Sequence, residues 1–322
     1  MAGGQPQLVS PGELGKLLEQ VKSSAPDASQ PIFPSDSVAW KVNRESALFL
    51  AAARAALLQL AHPWVATAIA QHSRTLDDPI GRFHRTFRVM FTMVFGTIQQ
   101  ALDTARDLHR LHQRIRGQLP QAAGRFAGGT HYEANEISAL IWVFATLVDS
   151  ALLAYELVLP PLSAVAREQY FAESTRIAAL FGIRREALPQ DWTGFSSYMN
   201  SALQSDMLGV TAATRQLAQR LQNGAGLPVS PPFWYQALTI ELLPQRIREE
   251  FQLAYGDREQ SAAARALRWL RRIYPRLPSA MRYVGPYHEA QSRLNGRSHP
   301  TAIARLSNKL WIGQETLQGP SD

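Results

Sequence analysis

ISALIWVFATLVDSALLAYELV, residues 137–158, is a very apolar run that closes at Pro160-Pro161 and is far too long for a strand. It reads as a helix, opened by Ala134 or Asn135. The chain on either side reads the same way. Upstream, AAGRFAGGTHYEANE (122–136) is a loop, and before it a helix spans Ile98 to Gly117, ended by Gly117 and Pro120. In TLDDPIGR (75–82), Asp78 caps a helix with Pro79 at its first position, carrying on to Phe95. A long helix covers Glu45 to Ala61, and Pro63 starts another. Downstream, helices run from Ser163 to Phe181 and from Phe195 to Asp206. NGAGLPVSPP (223–232) is the strongest internal break, followed by helices from Phe233 to Ala254 and from Glu259 to Tyr274.

No strand-like alternation is long enough to build a sheet, so an all-α single domain is expected, without internal repeats. Residues 1–36 hold a short amphipathic piece from Glu13 to Val21 and a Ser/Pro/Asp-rich linker, expected to be mobile or draped over the surface. Residues 37–295 form the helical domain, and 296–322 a tail.

Composition limits the chemistry. The 322 residues are 46% hydrophobic and 18% charged, which suits a globular chain with a large core. With no cysteine, disulfides, Cys-ligated zinc, iron–sulfur clusters and thiol nucleophiles are excluded. The net charge is +7, and arginine supplies most of the cations. These stand singly or in pairs among acids rather than in one block, so nucleic acid is not the expected partner. Arginine favours fixed bidentate contacts to carboxylates or phosphates. The opening MAGGQPQLVSPGELGK has no apolar signal region, and the best candidate membrane span, ALFLAAARAALLQLAHPWVATAIA (47–70), is broken by Arg54, Gln59 and His62-Pro63. A cytoplasmic protein without a transmembrane span is expected.

DLHRLHQRIRG (107–117) carries two histidines at helical spacing. Wound as a helix to 119, Leu108, Leu111, His112, Ile115 and Leu119 form one apolar stripe with His112 inside it, while His109 and Arg116 stand on its rim. Two readings stay open. His112 is a core histidine bonded to a carbonyl, or it is the axial nitrogen of a haem whose propionates meet the cationic rim. On the preceding helix, Arg82, Arg85, Thr86, Val89 and Met93 share one face. Burying such donors costs several kcal/mol unless something anionic or polar meets them. No His-Glu-x-x-His, Glu-x-x-His, Gly-x-Ser-x-Gly, phosphate-loop or dinucleotide fingerprint is present.

RAALLQLAHPWVATAIAQHS (54–73), DDPIGRFHRTF (77–87), HQRIRG (112–117), THYEANEISALIWVFATLVDSALLAYE (130–156) and YFAESTRIAALFGI (170–183) resemble, in order and spacing, the haem-dependent oxygenases that include latex-clearing protein (rubber oxygenase) and the MpaB-type enzymes. The resemblance covers about residues 40 to 290. It implies an all-α fold with a globin-like core enclosing haem b, and dioxygen and a small apolar substrate, alkene-bearing among the options, as partners. It also implies His112 as the iron ligand and Arg116 near a propionate. Arg82, Arg85 and Thr86 then lie on the opposite side of the haem, in catalytic roles. Two departures stand out. Phe144 replaces a histidine common in the family, and Arg85 replaces the lysine of the rubber-cleaving members, whose amine can reach iron. A guanidinium has no free lone pair for a metal. A haem sensor, carrier or peroxidase-like protein, or a helical interaction protein without cofactor, is the alternative.

Overall fold

The structure, a computed structural model, describes residues 7–24, 27, 29–73, 78–224, 229–297 and 299–317. In chain order its helices are α1 (Pro11–Ser23), α2 (Val38–Asn43), α3 (Ala52–Leu60), α4 (Pro63–His72), α5 (Pro79–Phe95), α6 (Ile98–Gln113), α7 (Ile137–Val158), α8 (Ala164–Leu180) and α9 (Trp192–Gln204). They continue as α10 (Ala212–Gln222), α11 (Phe233–Glu241), α12 (Gln245–Glu250), α13 (Asp257–Ile273), α14 (Ser279–Arg282), α15 (Gly285–Leu294) and α16 (Ala302–Ile312). The fold is all-α. Between α6 and α7 two short strands, β1 (Arg116–Gln118) and β2 (His131–Glu133), pair antiparallel with Gly117 opposite Tyr132.

Local chemistry sets most helix starts. The Asp78 side chain accepts from the Gly81 N–H, with Pro79 in the first turn. Thr97 and Gln100 form a reciprocal capping box at α6, and Ser163 caps α8. Glu136, rather than Asn135 or Ala134, caps α7 by accepting from the Ala139 N–H at 2.8 Å.

α7 is apolar on nearly every side because it is covered on nearly every side. It packs against α2, α3, α8 and α13. Trp142, fully buried, donates from Nε1 to the Leu58 carbonyl at 2.9 Å, and Trp40 donates to the Val94 carbonyl at 3.0 Å. Arg54 of α3 is buried and saturated by the protein: it meets Asp149 at 2.7 Å, the Ser150 hydroxyl at 2.6 Å and the Leu242 carbonyl at 2.9 Å. By length and composition α7 could cross a membrane, a feature absent from the sequence reading, yet most of its apolar stretch is buried inside the protein.

Two expected helices divide. The helix expected over Glu45 to Ala61 divides into a 3-10 turn, Ser46–Leu50, and α3. There, distant side chains take over backbone groups: the Ala47 N–H donates to the Tyr274 hydroxyl and the Tyr235 hydroxyl donates to the Phe49 carbonyl. The helix from Phe233 to Ala254 breaks at Pro244, which lacks the N–H to continue it. In the N-terminal segment, Leu14, Leu18 and Val21 of α1 are buried, as are Ile32 and Phe33; residues 1–6, 25, 26 and 28 lie outside the described residues. In the tail, α16 packs on α15 and α5, and Trp311 stacks on Phe49 with centroids 3.7 Å apart.

Candidate functional site

The helix that carries the histidines stops earlier than its sequence suggests. α6 ends at Gln113, and residues 116–118 turn into β1 because 131–133 offers them a partner strand. Arg116 and Leu119 therefore share no helical stripe with His112. Leu111, expected in the core, is 55% exposed. The buried face of α6 runs instead through Ile98, Ala101, Leu102, Ala105 and His109. It is rotated toward His109, and His112 sits on its other flank.

The two imidazoles differ in their surroundings. His109 is buried, and neither ring nitrogen has a hydrogen-bond partner among the described residues. Burial lowers its pKa. His112 keeps some surface open, yet protein atoms crowd the ring and burial lowers its pKa to about 4, with a smaller contribution from His109. Its interaction with the Asn135 side chain works against that shift. At neutral pH His112 is therefore uncharged, and one of its ring nitrogens carries a lone pair. Asn135 is itself buried, and its Nδ2 donates to the His109 carbonyl at 3.2 Å. A small cavity lined by Ala105, Leu108, His109, His112, Leu140, Leu180 and Phe181 touches both rings; it is about the size of one water molecule.

Gly117 has a structural reason that the sequence does not reveal. A Cβ there would come within 2.8 Å of Gln71 Oε1 and of the Tyr132 hydroxyl, and these two are hydrogen bonded at 2.6 Å. The glycine lets β1 lie under the Tyr132–Gln71 bridge that ties β2 to α4. It does not end the helix.

On α5 the donors are spread. Arg82 is partly buried and donates to the Ser73 hydroxyl; burial and the Arg85 charge pull its pKa below the ordinary guanidinium value. Arg85 is exposed and paired with Asp78 at 3.0 Å. Thr86 is exposed, Val89 partly buried and Met93 fully buried, so this face is open at its N-terminal end and closed at the other. The opposite face carries Phe83, Phe87 and Phe91, and the first two pack on Phe49 with centroids 5.6 and 4.7 Å away. Arg116 is exposed on β1, opposite Glu133. Phe144 is buried in the core. No cluster of three or more His, Asp or Glu suited to a metal ion occurs among the described residues.

The donor set fits an axial nitrogen. His112 is uncharged, so one ring nitrogen has a free lone pair, and the Asn135 side chain interacts with the ring. The cavity beside it is far smaller than a tetrapyrrole, so the fit is of chemistry, not of volume. Asn135 was visible in the sequence only as a helix opener.

An all-α protein with an uncharged histidine on a small, mostly apolar cavity is of the kind that can hold a prosthetic group. The chain belongs to the family described as ER-bound oxygenase mpaB/B'/Rubber oxygenase, catalytic domain, whose model matches residues 40–273. No curated protein and no solved structure matches it.

Proposed function

We propose that the chain is a b-type haem oxygenase that uses dioxygen on a small apolar substrate. The observation that carries this reading is His112, an uncharged imidazole on the small cavity that His109, Leu140 and Phe181 also line. In it, His112 would offer a ring nitrogen to iron, with the Asn135 side chain as the partner of the other nitrogen. The haem, when bound, supplies the oxidation chemistry. In this reading Arg82 and Thr86 of α5 serve as donors toward the cofactor, Arg85 as a fixed positive charge and Arg116 as a propionate partner, while His109 is the buried imidazole beside His112. The apolar walls from α3 and α7 exclude water.

The test is the visible absorption spectrum of the purified chain, oxidised and reduced. One haem per chain is expected, lost in His112→Ala without loss of helix by circular dichroism. Full retention in that variant with loss in His109→Ala moves the ligand to His109. Failure of the folded chain to take up added haem defeats the proposal and leaves a helical protein that has kept the fold without the cofactor.

A further inference from the structure

Between Gln260 and His288 the sequence contains no aspartate or glutamate and six arginines, at 265, 268, 271, 272, 276 and 282. This is the cationic block missing from the overall reading of scattered charges. The fold engages two of them with other elements, and Arg276 also donates to the Arg272 carbonyl at the end of α13. Arg271 donates from Nε to the Leu157 carbonyl at 2.9 Å, and Arg282 pairs with the buried Glu45 at 2.8 Å. Arg265, Arg268, Arg272 and Arg276 are exposed, and none makes an ion pair with a described acid.

Apolar side chains stand among them. Trp269 is 67% exposed, Ile273 42% and Met281 65%. Along α13, at about 100° per residue, Arg265, Arg268 and Arg272 fall within roughly 60° of one another, and Trp269 and Ile273 follow on the same flank. Met281 follows on α14, the next α-helix in the chain. Bulky apolar tips beside arginines, without intervening acids, match the boundary between lipid headgroups and acyl chains, where tryptophan and snorkelling cations settle. A nucleic-acid surface would use the arginines and leave exposed isoleucine and methionine unexplained.

We propose that the outer face of residues 265–281 docks on a membrane surface bearing anionic lipids. Arg265, Arg268, Arg272 and Arg276 meet lipid phosphates, and Trp269, Ile273 and Met281 enter the headgroup layer. The patch lies against the C-terminal end of α7, where Leu157 accepts from Arg271, whereas the histidine cavity lies near its N-terminal end at Leu140. The two are about 25 Å apart along that helix at 1.5 Å per residue. Docking and ligand binding at His112 are therefore separable.

The test is co-sedimentation of the full chain with vesicles of phosphatidylcholine alone or mixed with phosphatidylglycerol, at low and high salt. Binding to the mixed vesicles only, weakened by salt, is expected. Neutralising three arginines in Arg265→Gln/Arg268→Gln/Arg272→Gln should weaken it about a hundredfold, from the contribution of each cation near an anionic surface. Trp269→Ser should weaken it less, and quenching of tryptophan fluorescence by brominated lipid should fall in Trp269→Phe. The proposal is overturned by no binding of the wild-type chain, by equal binding to uncharged vesicles, or by binding that both variants leave intact. Tighter binding to duplex DNA than to vesicles, lost in the triple variant, would make this a nucleic-acid surface instead.

Discussion

Asn135, in the turn before α7, donates from Nδ2 to the carbonyl of His109 at 3.2 Å, one turn before His112 on the same helix. This buried amide ties the start of α7 to the helix that carries both imidazoles. Asn135→Leu removes that bond and leaves the His109 carbonyl without this donor. A stability loss of about 1–3 kcal/mol in urea denaturation is expected. A weakening of haem affinity by about 10–100-fold is expected alongside it, if outer partners act here as they do on other metal-bound histidines. Unchanged affinity in a folded Asn135→Leu protein would show that His112 needs no orienting partner.

Acid should destabilise the fold through its histidines. Burial lowers His112 to about 4 and His62, fully buried and also facing the Arg125 charge, to about 3. Both lie below the ordinary histidine value, so the unfolded chain binds more protons and stability rises with pH in this range. The loss should begin as pH falls through about 6.5 and continue toward 4 and below. Neither His62 nitrogen has a described partner. His62→Leu should therefore cost little at pH 7, about 1 kcal/mol or less, while flattening the acid limb of the stability curve. A large loss at pH 7 would mean that His62 bonds to buried water.

The arginines of α5 should separate by burial. Arg85 shares an exposed ion pair with Asp78, and Arg85→Ala should change stability by no more than about 0.5 kcal/mol. Arg82 is partly buried beside Ser73, so Arg82→Ala should alter carbon monoxide or cyanide binding to haem-loaded protein more than Arg85→Ala does. Ligand kinetics that respond only to Arg85 would reverse the assignment.

The strongest structural ion pair lies elsewhere. Glu45 is almost fully buried; Arg282 donates to both its oxygens, at 2.8 and 2.9 Å, and the Tyr274 hydroxyl adds a third bond at 3.0 Å. Arg282→Ala leaves the buried carboxylate with only the more distant Arg44, at 3.6 Å, as cation and should cost about 3 kcal/mol. Glu45→Gln/Arg282→Met, which removes both charges, should recover much of that loss. Equal instability in the single and double variants would show that packing, not charge, dominates there.

Helix identity and most helix starts were legible in the sequence because their causes are local. Asp78 before Pro79, Thr97 with Gln100, and Ser163 each find their hydrogen-bond partner within one turn. The apolar run 137–158 likewise announces a helix by its composition and length. The family could be read as well, since it rests on the order and spacing of residues that the chain displays directly.

The face that α6 buries was decided by tertiary structure. Winding 107–119 as one helix centres the stripe between Leu108 and Ile115 and includes Leu111, but the chain leaves the helix at Gln113 to pair with 131–133, and packing turns His109 inward while Leu111 meets solvent. The same holds for Asn135 on the His109 carbonyl, for Gly117 beneath Tyr132 and Gln71, and for Tyr274 and Tyr235 breaking the helix after Glu45. Each joins segments tens of residues apart or lying across a turn between elements. Helical periodicity carries information over one or two turns only, so it specifies which residues belong to a helix but not which neighbour covers each face.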